Sequence, residues 1–122
     1  MKSAVLVVMM LAATAAGASD WTAADARFEL GYAAVAIADA FTTADIRNHD
    51  DIEEVAPLTR QVLGKNPEPL PTAAYFTAAI AAHYGVSRAL PKPWRRYWQV
   101  TTITVQSAVV ANNIRIGLRF GF

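Results

Sequence analysis

Leu70-Pro71-Thr72-Ala73-Ala74-Tyr75-Phe76-Thr77-Ala78-Ala79-Ile80-Ala81-Ala82-His83-Tyr84-Gly85-Val86-Ser87-Arg88-Ala89-Leu90-Pro91-Lys92-Pro93-Trp94-Arg95-Arg96-Tyr97-Trp98 is an apolar run closed by a basic, proline-broken stretch. A second apolar run, residues 100–111, follows it. On a 3.6-residue period Phe76, Ile80 and His83 share one face of the first run and Ser87 continues it. Ala74, Ala78, Ala82 and Gly85 would let a neighbouring helix come close. Two such runs on either side of a short turn predict a helical hairpin. The β-branched residues of the second run also suit a strand. The fold class expected is mainly α: a small helical bundle with a C-terminal helical hairpin and an extended C-terminal tail.

Cations interleaved with aromatic rings in residues 88–96 and just beyond suit a membrane–water boundary. The expectation is that Trp94, Arg95, Arg96, Tyr97 and Trp98 lie at a membrane interface. Two spans, residues 72–89 and 97–117, would then put the basic turn at 88–96 on the cytoplasmic side of an inner membrane, with the rest exposed to the periplasm. Both segments are short and carry Thr, Gln or His, so a bundle core outside a membrane is the alternative.

The composition agrees with export or association. Hydrophobic residues make up 54% and charged residues 17% of the 122 residues, which is more apolar and less charged than an ordinary domain. A net charge of +1 gives no concentrated basic surface for a nucleic acid backbone. The chain has no cysteine, which excludes disulfides, thiolate metal sites and thiol nucleophiles. At the start, Lys2 precedes an uncharged run from Ala4 to Ala16 that ends in Ala16-Gly17-Ala18. That pattern predicts a signal peptide over residues 1–18 and a single helical domain over 19–122.

Thr22 stands three residues before Asp25, a capping-box spacing for a helix running to about Ile46. Its apolar residues lie nearly all round, which predicts a buried helix. Asp39 is the exception, and a carboxylate there needs partners, with Thr43 four residues on as the first candidate. The polar connector, residues 47–71, holds His49 among Asp50, Asp51, Glu53 and Glu54. Contiguous acids without ordered ligand spacing read as a solvated helix start, so no metal is expected. Asp50 and Glu53 can begin a helix with Ile52, Val55, Leu58 and Val62 inward, interrupted by Pro57 and ended by Gly64. The polar core candidates are Asp39, Thr43, Glu54, His83 and Asn113. No catalytic residue and no cofactor is assigned.

Residues 114–122 alternate strictly and end on Phe122, a strand pattern. With Arg115, Gly117, Phe120 and Phe122 they also resemble the C-terminal assembly signal of outer-membrane barrel proteins, which gives a small barrel as a further alternative. A longer resemblance joins Asp39 with Thr43, Glu54 with Pro57, Leu63-Gly64 with Pro67, Tyr75-Phe76, His83, Leu90-Pro91, Arg95 or Arg96, and Asn113 with Gly117. In that order these elements resemble a family of small helical envelope proteins of bacteriophages and proteobacteria. The chain departs from it at Ala56, where the family has Asn before Pro, and in the extra residues before Leu63-Gly64. The resemblance implies an envelope protein without an assigned activity. Together these readings predict an exported, membrane-associated protein acting through interaction, such as a phage or prophage accessory factor. Its partners would be a lipid bilayer, another envelope protein or further copies of itself, with a periplasmic binding module as the rival reading.

Overall fold

The computed structural model describes residues 20–122. The expected leader lies outside the described residues. Four α-helices account for most of the described chain: α1 (Ala23–Asp45, extended by a 3-10 turn over Ile46–Asn48), α2 (Pro57–Leu63), α3 (Pro69–Ala89) and α4 (Lys92–Arg115). At 1.5 Å per residue the three long helices run roughly 30–36 Å. α1 packs along both α3 and α4, while these two touch each other over a shorter stretch. The expected bundle and its C-terminal hairpin are therefore present, with α1 lying along both arms.

The helix ends follow local chemistry. Thr22 accepts from the Asp25 amide at 3.1 Å and donates its own amide to Asp25 at 3.0 Å, which completes the capping box. α2 starts at Pro57, where a missing amide costs nothing, and stops at Gly64, whose φ of 80° suits glycine. The inward face expected here is corrected: the helix starts at Pro57, and Val55, Leu58 and Val62 are exposed. The acids at 50–54 do not open it; Glu54 instead accepts from the Ala56 amide at 2.9 Å. The basic turn at 88–96 shrinks to Leu90 and Pro91, because Lys92 already begins α4.

The alternating end is not a strand, and no strand occurs among the described residues. Ile114 and Arg115 are the last turn of α4. Residues 118–122 form the expected extended tail, which folds back on the end of α1. The Gly121 amide donates to the Phe41 carbonyl at 2.9 Å, the Arg119 amide donates to Asp45 at 2.8 Å, and Leu118 is buried. Phe120 and Phe122 meet the Phe41 ring edge-on, with centroids 5.5 and 4.9 Å away.

The interior overturns the larger expectation. The buried residues of α1 include Asp25, Glu29, Asp39, Thr42 and Thr43, whereas Leu30 is 70% exposed and Ile37 also faces outward. No helix among the described residues is long and apolar enough to cross a membrane. Thr, Gln, His and charged groups dilute the apolar content of every helix, so the transmembrane helices and the inner-membrane location drawn from the sequence do not hold. The interfacial cluster separates accordingly. Trp94 and Tyr97 are exposed, but Arg95 is 0% exposed and lies inside the bundle.

Candidate functional site

Two polar networks run along the seam where α1 meets α3 and α4. The first begins at Arg95. Its guanidinium donates to Asp25 at 3.0 Å, to Asp20 at 2.7 Å and to the Ser87 and Leu90 carbonyls. Arg96 donates to the other Asp25 oxygen at 3.0 Å and lies 4.0 Å over the Phe28 ring. Burial pushes the Asp25 carboxyl up, yet the Thr22 bonds and the Arg95 guanidinium outweigh it and hold the group below its ordinary range. The residue that caps α1 therefore also anchors α4.

One turn further, Glu29 collects the hydroxyl of Ser87, the amide of Gln99 at 3.2 Å and His83 Nδ1 at 2.9 Å. Burial raises the Glu29 carboxyl, and the bonds from His83, Ser87 and Gln99 bring it net below its ordinary value. His83 is 3% exposed and stacked between two rings: Tyr32 at 3.6 Å and 7°, and Trp98 at 4.9 Å and 23°. Its Nε2 meets the Thr102 hydroxyl at 2.7 Å.

Thr102, His83 and Glu29 thus have the connectivity of a nucleophile, base and orienting carboxylate. The surroundings do not complete such a site. The single hydroxyl proton of Thr102 has the carbonyls of Trp98 and Gln99 as competing acceptors at 2.8 and 3.1 Å. Thr102 also lies in the middle of α4, where the amides are engaged within the helix and none is available for an oxyanion. The arrangement serves to fix the register of three helices.

The second network centres on Asp39. Thr43 and Asn113 each donate to Oδ1 at 3.1 Å, and the Gln106 amide donates to Oδ2. Asn113 also donates to Thr42 at 2.9 Å. Every one of these donors is neutral. Burial, and after it the neighbouring Glu54 carboxylate, push Asp39 up to about 6 against the opposing bonds from Thr43, Gln106 and Asn113.

Between the networks, α3 and α4 part to leave a cleft of about 310 Å³. His83, Trp98 and Thr102 line one end, Gln106 the other, and Tyr32 contributes from α1. Burial first, and then Tyr75, Asp39 and Glu29, push the Tyr32 phenol upward, which places this ring in a negative field.

Of the expected polar core, Asp39, Thr43 and Asn113 come together, and Glu54 is buried within electrostatic reach of Asp39. His83 joins the other network, with both ring nitrogens engaged by Glu29 and Thr102 rather than by Asp39. His49 turns back onto Asp45 at 3.0 Å, and no group of three metal-ligating side chains occurs among the described residues. Trp98, expected at an interface, donates its indole N–H to Ser87 at 3.1 Å. Glu29, Ser87, Gln99, Thr102 and Gln106 were not singled out from the sequence. Their signal is spacing: 25-29-32-36-39-43 on α1 and 95-99-102-106-113 on α4 are heptad-like steps that carry polar residues.

No protein family, curated protein or solved structure matches the chain.

Proposed function

We propose that this protein acts by association, as a small assembly module whose polar seam fixes three long helices so that their outer faces meet further copies of the same chain. The observation that carries this reading is the distribution of apolar side chains. Among the described residues fifteen large hydrophobics are exposed, while the six buried hydrophobics include three alanines. Exposed apolar surface on this scale marks an interaction face. The side chains lie on all three long helices: Leu30 and Ile37 on α1, Leu70 and Tyr84 on α3, Tyr97, Val100 and Val105 on α4. A single partner covers one face, whereas several copies cover several. That favours self-assembly over a one-sided complex, and an accessory role over catalysis.

Light scattering and chemical crosslinking of the purified protein test this. The expected result is a defined oligomer that Ile37→Lys or Val105→Lys dissociates without loss of helix content. A monomer at every concentration overturns it. Uptake by phosphatidylcholine–phosphatidylglycerol vesicles in place of self-association overturns it too, since lipid would then be what covers the surface.

A further inference from the structure

We propose that the cleft between α3 and α4 binds a small organic cation of the alkyl- or quaternary-ammonium class, held by the aromatic wall of Tyr32, His83 and Trp98 and by the negative charge of Asp39 and Glu54 behind Gln106. The site stands apart from the outer faces invoked for assembly, and its argument rests on three observations.

The first is charge pairing. Asp25 is matched by Arg95 and Arg96, Glu29 by His83, Asp45 by His49 and Glu53 by Arg60. Asp39 and Glu54, both buried, have no cationic side chain bonded to their carboxylates among the described residues. The Asp39 donors are Thr43, Gln106 and Asn113, and Glu54 accepts from the Ala56 amide. Arg60 touches only the main-chain oxygen of Glu54, at 3.2 Å, and its ion pair is with Glu53. Two buried carboxylates without a counter-charge set up an attractive potential for a cation, and that same potential raises Asp39 and Tyr32.

The second is the wall. Aromatic faces attract a desolvated ammonium through their quadrupoles, and Trp is the strongest of them. Trp98 and Tyr32 both line the cleft, and their stacking on His83 fixes their orientation before any ligand arrives. Gln106 connects the two halves of the argument. It lines the cleft while its amide N–H is committed to Asp39, so its oxygen is the end of the amide left for an ammonium or hydroxyl.

The third is size. A volume of about 310 Å³ corresponds to about ten water-sized groups, enough for a trimethylammonium head with a short chain. The remaining lining is apolar, with Ala79, Ala82, Val86 and Val105. That suits the methyl groups of such an ion better than a strongly hydrated metal or guanidinium.

Choline and its neutral carbon isostere dimethylbutanol separate charge from shape. The readout is the NMR resonance of the Trp98 indole N–H during titration of the full protein with each probe. The expected result is a saturable shift with choline at an affinity at least tenfold above that of the isostere, a difference on the scale of one desolvated charge contact. Val105→Lys, an exposed position on the cleft lining, is expected to weaken choline several-fold and leave the isostere unchanged. Asp39→Asn is expected to do the same. Equal affinity for both probes, or no saturable shift with choline, overturns the proposal. Unchanged choline affinity in a folded Val105→Lys protein overturns it as well. Because the readout is a resonance of one residue, it is independent of oligomeric state and of the assembly experiment.

Discussion

Asp39 is the residue whose chemistry is most directly testable. Its folded pKa of about 6 lies above the ordinary 3.8, so the folded state holds the proton more tightly than the unfolded chain. The contribution of this group to stability is greatest below the unfolded value and declines as pH rises from about 4 through about 6. At about 1.4 kcal/mol per pH unit the decline is about 3 kcal/mol. Asp39→Asn keeps acceptor capacity without the charge and is expected to remove that decline. The difference between wild-type and mutant denaturation midpoints should therefore shift toward the mutant between pH 4 and pH 7, and a constant difference would refute the assignment. Asp39→Leu leaves Thr43, Gln106 and Asn113 without their acceptor and is expected to cost more than Asn, by about 1–3 kcal/mol per stranded donor. Asp25, Glu29 and Asp45 have lowered values. The stability they contribute is present above their unfolded values and is lost as pH falls through the folded ones, which is the opposite slope. Comparing wild type with Asp39→Asn isolates Asp39 from this background.

At the level of elements, one cation holds the top of the bundle. Arg95 links the start of α4 to Asp25 on α1 and to the end of α3 through the Ser87 carbonyl. Arg95→Met is expected to cost about 3–5 kcal/mol, because it strands a buried carboxylate. Urea denaturation measures this, and a loss below 1 kcal/mol would show that Arg96 alone suffices for Asp25. At the other end, a Cβ at Gly121 would sit 2.4 Å from the Asp45 Cα, where backbone cannot yield. Gly121→Ala is expected to lift the tail from α1 and to speed amide exchange in residues 118–122, while α3 stays protected. The sequence already displayed the capping box at Thr22, the turn at Leu90-Pro91 and the ends of α1 and α3. These signals are local, set by hydroxyl, proline and glycine chemistry within a few residues. The mistaken strand at 114–122 shows the limit of periodicity in short segments, since α4 simply runs on through Ile114 and Arg115 before the chain turns.

For the whole molecule, the sequence was misleading about which side of each helix faces in. The working assumption was that apolar residues seek the interior, and it placed Leu30 and Ile37 inside and Arg95 at a boundary. The bundle does the reverse, and three features make that tolerable. Its buried acids are bonded, its buried cation is fully engaged, and polar residues recur every three or four positions on each long helix. Pairing of Asp25 with Arg95, and of Glu29 with His83, links positions about 50 to 70 apart in the chain, which no local pattern reveals. The Asp39–Thr43 pair was legible because its four-residue spacing is itself local.

An interior built from carboxylates, amides and hydroxyls also sets how the fold responds to temperature. Hydration of newly exposed apolar surface raises the heat capacity of unfolding, and hydration of polar surface lowers it. Here unfolding exposes twelve buried polar or charged residues against six buried hydrophobic ones, and much of the large apolar surface is already outside. Scanning calorimetry of a dissociated form, such as Ile37→Lys, is expected to give a heat-capacity increment below the usual ~12–15 cal/mol/K per residue. The stability curve of this protein should accordingly be flat, with little weakening on cooling and a broad melting transition.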